Sequence, residues 1–214
     1  MSIGNLILLI TVVFYGIALR TRKDYVRIVF IWMFIHLLMQ AYFIYENSHG
    51  LPHYRYLYQF FGAIEYPLLG LLYSRIITNR RIQKSIRVSI PAFLLLCIIF
   101  GMTIMKDSVE NFYTMMISSF LLLCLSLVYM RQLFLYGPQT KLYRYPLFWI
   151  STGILILSCA DFVVSDFPEH SVKSPGLTRI LDLLENFFSY TFLLFILAGG
   201  IVEVVTWAKK TSPP

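Results

Sequence analysis

The sequence predicts an all-α polytopic membrane protein, one bundle of seven transmembrane helices over residues 1–214, with its N-terminus outside and its C-terminus in the cytoplasm. Composition is the first reason. Of 214 residues, 58% are hydrophobic and 14% charged, and the mean hydropathy is +0.70. A soluble domain carries about 25% charged and about 45–50% apolar residues, so the excess needs lipid around it. The second reason is the succession of apolar runs near the bilayer-crossing length of about 20 residues, separated by short polar breaks. The third is the placing of Lys and Arg in alternate breaks, as the cytoplasmic preference of basic loops requires.

The first helix covers about 3–19 and stops at Arg20, Arg22 and Lys23. Positive charge follows this run rather than preceding it, which favours a membrane helix over a cleavable signal. The second covers about 26–45 and is followed by a loop holding Asn47, His49, Gly50, Pro52 and His53, where Gly and Pro interrupt helical structure. The third, about 56–77, leads into a basic cluster at 79–87. The fourth, about 88–105, ends in a polar turn at 106–110, and the fifth, about 112–134, ends before Gly137-Pro138. The sixth, about 146–167, opens on Pro146, favourable in a first turn. An outer loop at 168–176 precedes the seventh helix, about 177–207, and then Lys209 and Lys210.

With the N-terminus outside, the inner segments hold 14 of the 18 basic residues, and only Arg55, Lys106, Lys173 and Arg179 lie outside. Trp149 and Trp207 fall at the inner boundary, where indoles prefer the headgroup level. Removing or adding one helix would break this alternation. The bacterial inner membrane is the expected location.

Seven spans and short loops leave no room for a soluble catalytic or nucleotide-binding module, and no phosphate-loop, dinucleotide, HExxH or CxxC pattern occurs. The net charge of +7 sits between hydrophobic runs, where it orients the chain and meets anionic lipid; nucleic acid is not an expected partner. Cys97, Cys124 and Cys159 all fall in apolar runs and read as buried free thiols. No cofactor is expected. The halves share no motif, which weighs against an inverted-repeat carrier.

The informative residues are the polar ones at membrane depth, where an ionisable group costs about 2.5–3.5 kcal/mol on insertion scales and so tends to face the protein interior. On the seventh helix Asp182, Glu185, Asn186, Ser189 and Tyr190 recur at spacings of three and four, one helical face. The sixth repeats this with Ser151, Ser158, Asp161 and Ser165, the second adds His36, Gln40 and Asn47, and the third adds Glu65 two residues before Pro67. At 1.5 Å per residue, Glu65, Asp161 and Glu185 lie about 13, 9 and 12 Å from their outer helix ends. One outward-facing acidic pocket between the second, third, sixth and seventh helices accounts for all three. The candidate ligand-binding residues are Glu65, Asp161, Asp182, Glu185, Asn186, Tyr190, His36 and Gln40. A purely structural role remains open for each: protonated acids bridging helices, Asp182 paired with Arg179, and Asn186 and Tyr190 as interhelical contacts. The four histidines all lie in the outer half or outside, so an outward metal site is a weaker alternative. The inner half offers few buried polar groups.

The stretch from His53 to Tyr66, Pro146 to Gly153, and Glu185-Asn186-Phe187-Phe188-Ser189-Tyr190 resemble small seven-helix membrane proteins of Bacteroidetes-type bacteria, a family that implies no particular activity. The chain is also loosely similar to the seven-transmembrane sensor region of receptors with diverse intracellular signalling modules. That resemblance implies a sensory role, with output through a separate cytoplasmic or membrane partner. It is similar in helix number to alkaline ceramidases and adiponectin-type receptors, whose zinc site needs three membrane-level histidines where this sequence has His36 alone. The expected function is therefore a receptor-like protein binding a small ligand in the acidic pocket. The alternatives are an ion-coupled transporter and a metal-dependent intramembrane lipid hydrolase.

Overall fold

The structure, a computed structural model, describes residues 3–49, 55–104, 112–137, 141–164 and 175–211. Among these the chain forms seven α-helices and no strand: α1 (Ile3–Ala18), α2 (Asp24–His49), α3 (Arg55–Ile76), α4 (Arg80–Ile104), α5 (Phe112–Tyr136), α6 (Pro146–Val164) and α7 (Pro175–Thr211). Short 3-10 turns at Leu19–Thr21 and Leu142–Arg144 link α1 to α2 and precede α6. The expected turn at 106–110, most of the outer loop at 168–176, and His53, Ser165, Asp166, Glu169 and His170 lie outside the described residues.

Several boundaries differ from the hydropathy reading because polar residues start helices that apolar runs do not mark. α4 begins at Arg80, not near residue 88. Asn79 Oδ1 accepts the backbone N–H of Arg81 at 2.9 Å and of Ile82 at 3.4 Å, capping donors that would otherwise be orphaned. The basic cluster is thus helical. α2 begins at Asp24, an acid at the positive end of the helix, and continues to His49, whose Nδ1 lies 2.9 Å from the Tyr45 carbonyl. Helix α3 runs on through Pro67, which leaves the Ala63 carbonyl without its usual backbone donor.

Helix α1 packs between α2 and α7, and the contacts continue α2–α3, α3–α5, α5–α6 and α6–α7, closing a ring of six. Helix α4 rests chiefly on α3, outside that ring. α1 and α7 run parallel: Gly4 meets the Tyr190 ring, and Gly199 and Gly200 meet Tyr15. Small residues let these backbones approach. A Cβ on Gly199 would fall 2.9 Å from Ile150 Cγ1 and 3.0 Å from the Tyr15 hydroxyl, and one on Gly153 3.1 Å from Ile196 Cδ1.

The ring is filled at mid-height by buried apolar side chains: Leu8 of α1, Trp32 and Met33 of α2, Leu69 and Leu72 of α3, Leu122 of α5, Ile154 of α6, and Phe192 and Ile196 of α7. Its exterior is apolar as well, with Leu95, Ile98, Leu127, Phe134 and Leu194 all exposed. Among the described residues, five helices are long and apolar enough to cross a membrane: the α1 segment Ile3–Thr21, α2, and the parts of α4, α5 and α7 over Arg80–Phe100, Thr114–Tyr136 and Arg179–Lys209. The α6 stretch Pro146–Phe162 is shorter but apolar. An apolar exterior on spans of that length marks a membrane protein.

The cysteines are free but not all buried. Cys124 and Cys159 are exposed on the outer surface, whereas Cys97 is half-buried and packs against the core. The two ends of the bundle are called the N-end, where α1 starts, and the C-end, where α7 finishes. At the C-end Arg75 bonds Asp24 at 2.9 Å, and Gln132 Oε1 accepts both the N–H and the hydroxyl of Thr78.

Candidate functional site

At the N-end, α3 presents Glu65 to α2. The indole Nε1–H of Trp32 points to Glu65 Oε1 at 3.3 Å, and His36 Nε2 lies 3.7 Å from the same oxygen. Trp32 is held by an edge-on contact with the His36 ring and a tilted contact with Phe192 of α7, each at 5.4 Å. The chain positions these groups by simple register: Trp32 and His36 are one turn apart on α2, so both reach the same carboxylate.

Asp161 of α6 lies within electrostatic reach of both Glu65 and Glu185. The levels explain this. Gly153 faces Phe192 and Ile196, and Asp161 stands eight residues, about 12 Å, further toward the N-end, which is the height of Glu185 on α7. Glu185 and Asp161 therefore form a rim, with Glu65, His36 and Trp32 beneath it. Carboxylates from three helices gathered in this way repel one another unless a cation or a proton sits among them.

The other expected site residues are placed differently. Tyr190 packs over Gly4 of α1, which makes it an interhelical contact at the edge of the cluster. Asn186 and Gln40 are exposed. Asp182 lies in α7, with its side chain outside the described residues. Of the proposed stripe on α2, His36 joins the cluster, while Gln40 and Asn47 face outward. Glu46, near His49 on α2, is fully buried.

The expectation that the C-end half holds few buried polar groups is overturned. Glu203 of α7 is only 1% exposed, forms an ion pair with Lys23 Nζ at 2.6 Å, and accepts a hydrogen bond from the Tyr25 hydroxyl. Lys23 Nζ also reaches the Tyr25 oxygen at 3.3 Å. Beside them Tyr15, wholly buried, donates to the Ile196 carbonyl at 3.1 Å. Further in, the buried Tyr73 hydroxyl shares a 2.7 Å hydrogen bond with Ser126, and its ring lies 6.2 Å from that of Tyr129.

Glu203 had a signal in the sequence. Ser189, Phe192, Ile196, Gly199 and Glu203 alternate by three and four along α7, an inward stripe that ends on an acid, while Glu185, one turn before Ser189, is exposed. Among the described residues no group of three His, Cys, Asp or Glu side chains has the geometry to hold a metal ion. No protein-family model, curated protein or solved structure matches the chain.

Proposed function

We propose that this chain is a receptor-like membrane protein that binds a small cationic ligand at the N-end acid cluster and signals through a separate partner. In this reading all seven helices cross the bacterial inner membrane, the N-end faces outward and the C-end faces the cytoplasm. The orientation rests on the basic residues gathered at the C-end, including Arg20, Lys23, Arg75, Arg80, Arg81 and Lys209. The observation that carries the binding role is Asp161 lying in reach of both Glu65 and Glu185, above His36 and Trp32. Such an arrangement favours a positive ligand because a cation, like a proton, offsets the repulsion among its carboxylates. A route for the signal is α7, unbroken from Glu185 to Glu203, so a shift at one end is felt at the other.

The test is thermal unfolding of the detergent-purified protein against a panel of organic amines and monovalent cations. A ligand at 100 times its Kd stabilises the folded state by about 2.7 kcal/mol, and Glu65→Gln with Asp161→Asn is expected to abolish the shift. A ligand whose effect survives that double substitution binds elsewhere. Ion-coupled transport is the second reading, favoured by Glu203, which supplies a buried acid toward the opposite end of α7. The hydrolase alternative gains no support, since the described residues assemble no metal-ligand group.

A further inference from the structure

Three serine hydroxyls inside the ring lack what several other serines of this chain have. Ser74, Ser85 and Ser89 return their hydroxyls to carbonyls of their own helices, the usual way of satisfying a hydroxyl within a helix. Ser118 of α5 and Ser151 and Ser158 of α6 do not: they are 3%, 0% and 1% exposed and their oxygens have no hydrogen-bond partner. The Ser151 hydroxyl comes near that of Tyr73 without forming an aligned bond. A buried hydroxyl left unsatisfied costs about 1–3 kcal/mol, and one such atom in a polar niche marks a place for water.

These hydroxyls fall on a pattern. The buried stripe of α5 reads Thr114, Ser118, Leu122, Ser126, Tyr129, and that of α6 reads Ser151, Ile154, Ser158, with Asp161 one turn beyond. Each stripe is polar except at a single level, Leu122 on α5 and Ile154 on α6, where Leu69 of α3 is also buried. Ser118 and Ser126 are eight residues apart, about 12 Å along the axis, a gap that about three hydrogen-bonded waters at roughly 2.8 Å spacing would bridge. Below the gap Tyr73 is bonded to Ser126 and neighbours Tyr129, and Tyr25 is bonded to Glu203.

We propose that the ring encloses a transmembrane proton path, running from the Glu65–Asp161 cluster along the serine hydroxyls of α5 and α6 to Tyr73 and Glu203, and gated by the apolar level of Leu69, Leu122 and Ile154. It deepens the ion-coupled reading and shares with the receptor reading only its outer acids. In each hop one O–H bond breaks and another forms on the next oxygen, with the electron pair staying on the donor. The net event is one proton given up by a carboxyl at one end and gained at the other. Lys23, 44% exposed, connects Glu203 to the water beyond it. Chains of acids and hydroxyls at membrane depth are suited to this task.

The test uses the full chain in liposomes enclosing a pH-sensitive dye, with a potassium diffusion potential driving protons in either direction. Wild type is expected to carry protons above the rate of protein-free vesicles. Tyr73→Phe and Glu203→Gln should fall to that background. Leu122→Ser or Ile154→Ser, which would make a stripe polar throughout, should raise the flux severalfold. Ser85→Ala, whose hydroxyl serves its own helix, should match wild type. Wild-type vesicles no leakier than protein-free ones, in both polarities, overturn the proposal whatever the variants do; so does a Tyr73→Phe protein that conducts as wild type. Amine or cation binding that persists without flux removes the path and leaves the receptor reading intact, whereas flux without binding does the reverse.

Discussion

Glu203 allows the packing of this bundle to be tested quantitatively. Its carboxylate is nearly enclosed and is held by Lys23 and Tyr25 alone among the described contacts. Replacing Lys23 by Met would leave a buried carboxylate with a single neutral donor. Removing one partner of a buried pair costs about 3–5 kcal/mol, but Lys23 is 44% exposed, so water reaches the vacated place and about 1–2 kcal/mol is the better expectation. Glu203→Gln keeps an acceptor for Tyr25 and loses the charge-assisted part of two bonds, about 1–2 kcal/mol. The double variant leaves no buried charge and should be destabilised by less than the sum of the two, with a coupling of about 1 kcal/mol. Detergent unfolding by SDS, followed through the fluorescence of Trp32, Trp149 and Trp207, measures all three. Costs that add to within about 0.3 kcal/mol would refute the pairing.

Four further outcomes follow from the geometry. Gly199→Ala forces a methyl against Ile150, Tyr15 and the Pro146 carbonyl and should cost about 1–3 kcal/mol. Gly16→Ala, whose Cβ meets only Phe30 at 3.6 Å, should be neutral or slightly stabilising in the same unfolding assay. Asn79→Ala removes the cap of α4 and should cost about 1 kcal/mol, seen as faster hydrogen exchange confined to the first turn after residue 79. In membranes, a lipid-soluble maleimide should label Cys124 and Cys159 ahead of the half-buried Cys97; equal rates at all three would contradict the outward placing.

Hydropathy alone located all seven helices, because an apolar run of this length has few alternatives to a helix in lipid. It also read Glu65, Asp161 and Glu185 at similar depths, and Asp161 lies within electrostatic reach of each of the other two. Helix ends were less legible: the start of α4 depends on one capping side chain, Asn79, rather than on hydrophobic pattern. The stripe on α7 pointed to Glu203, but its pairing was not legible: Lys23 and Tyr25 lie about 180 residues earlier in the chain, and no local spacing announces such a pair. The stripe on α2 was legible only as far as His36, since Gln40, one turn on, is exposed.

The ring closes through a seam between α1 and α7, the first helix and the last. As the ribosome releases the chain in order, α1 must wait through five later helices before its second neighbour exists. Until then Tyr15 lacks the Ile196 carbonyl, and Lys23 lacks Glu203. A nascent chain halted before α7 would therefore expose one unmatched flank of α1 to the bilayer.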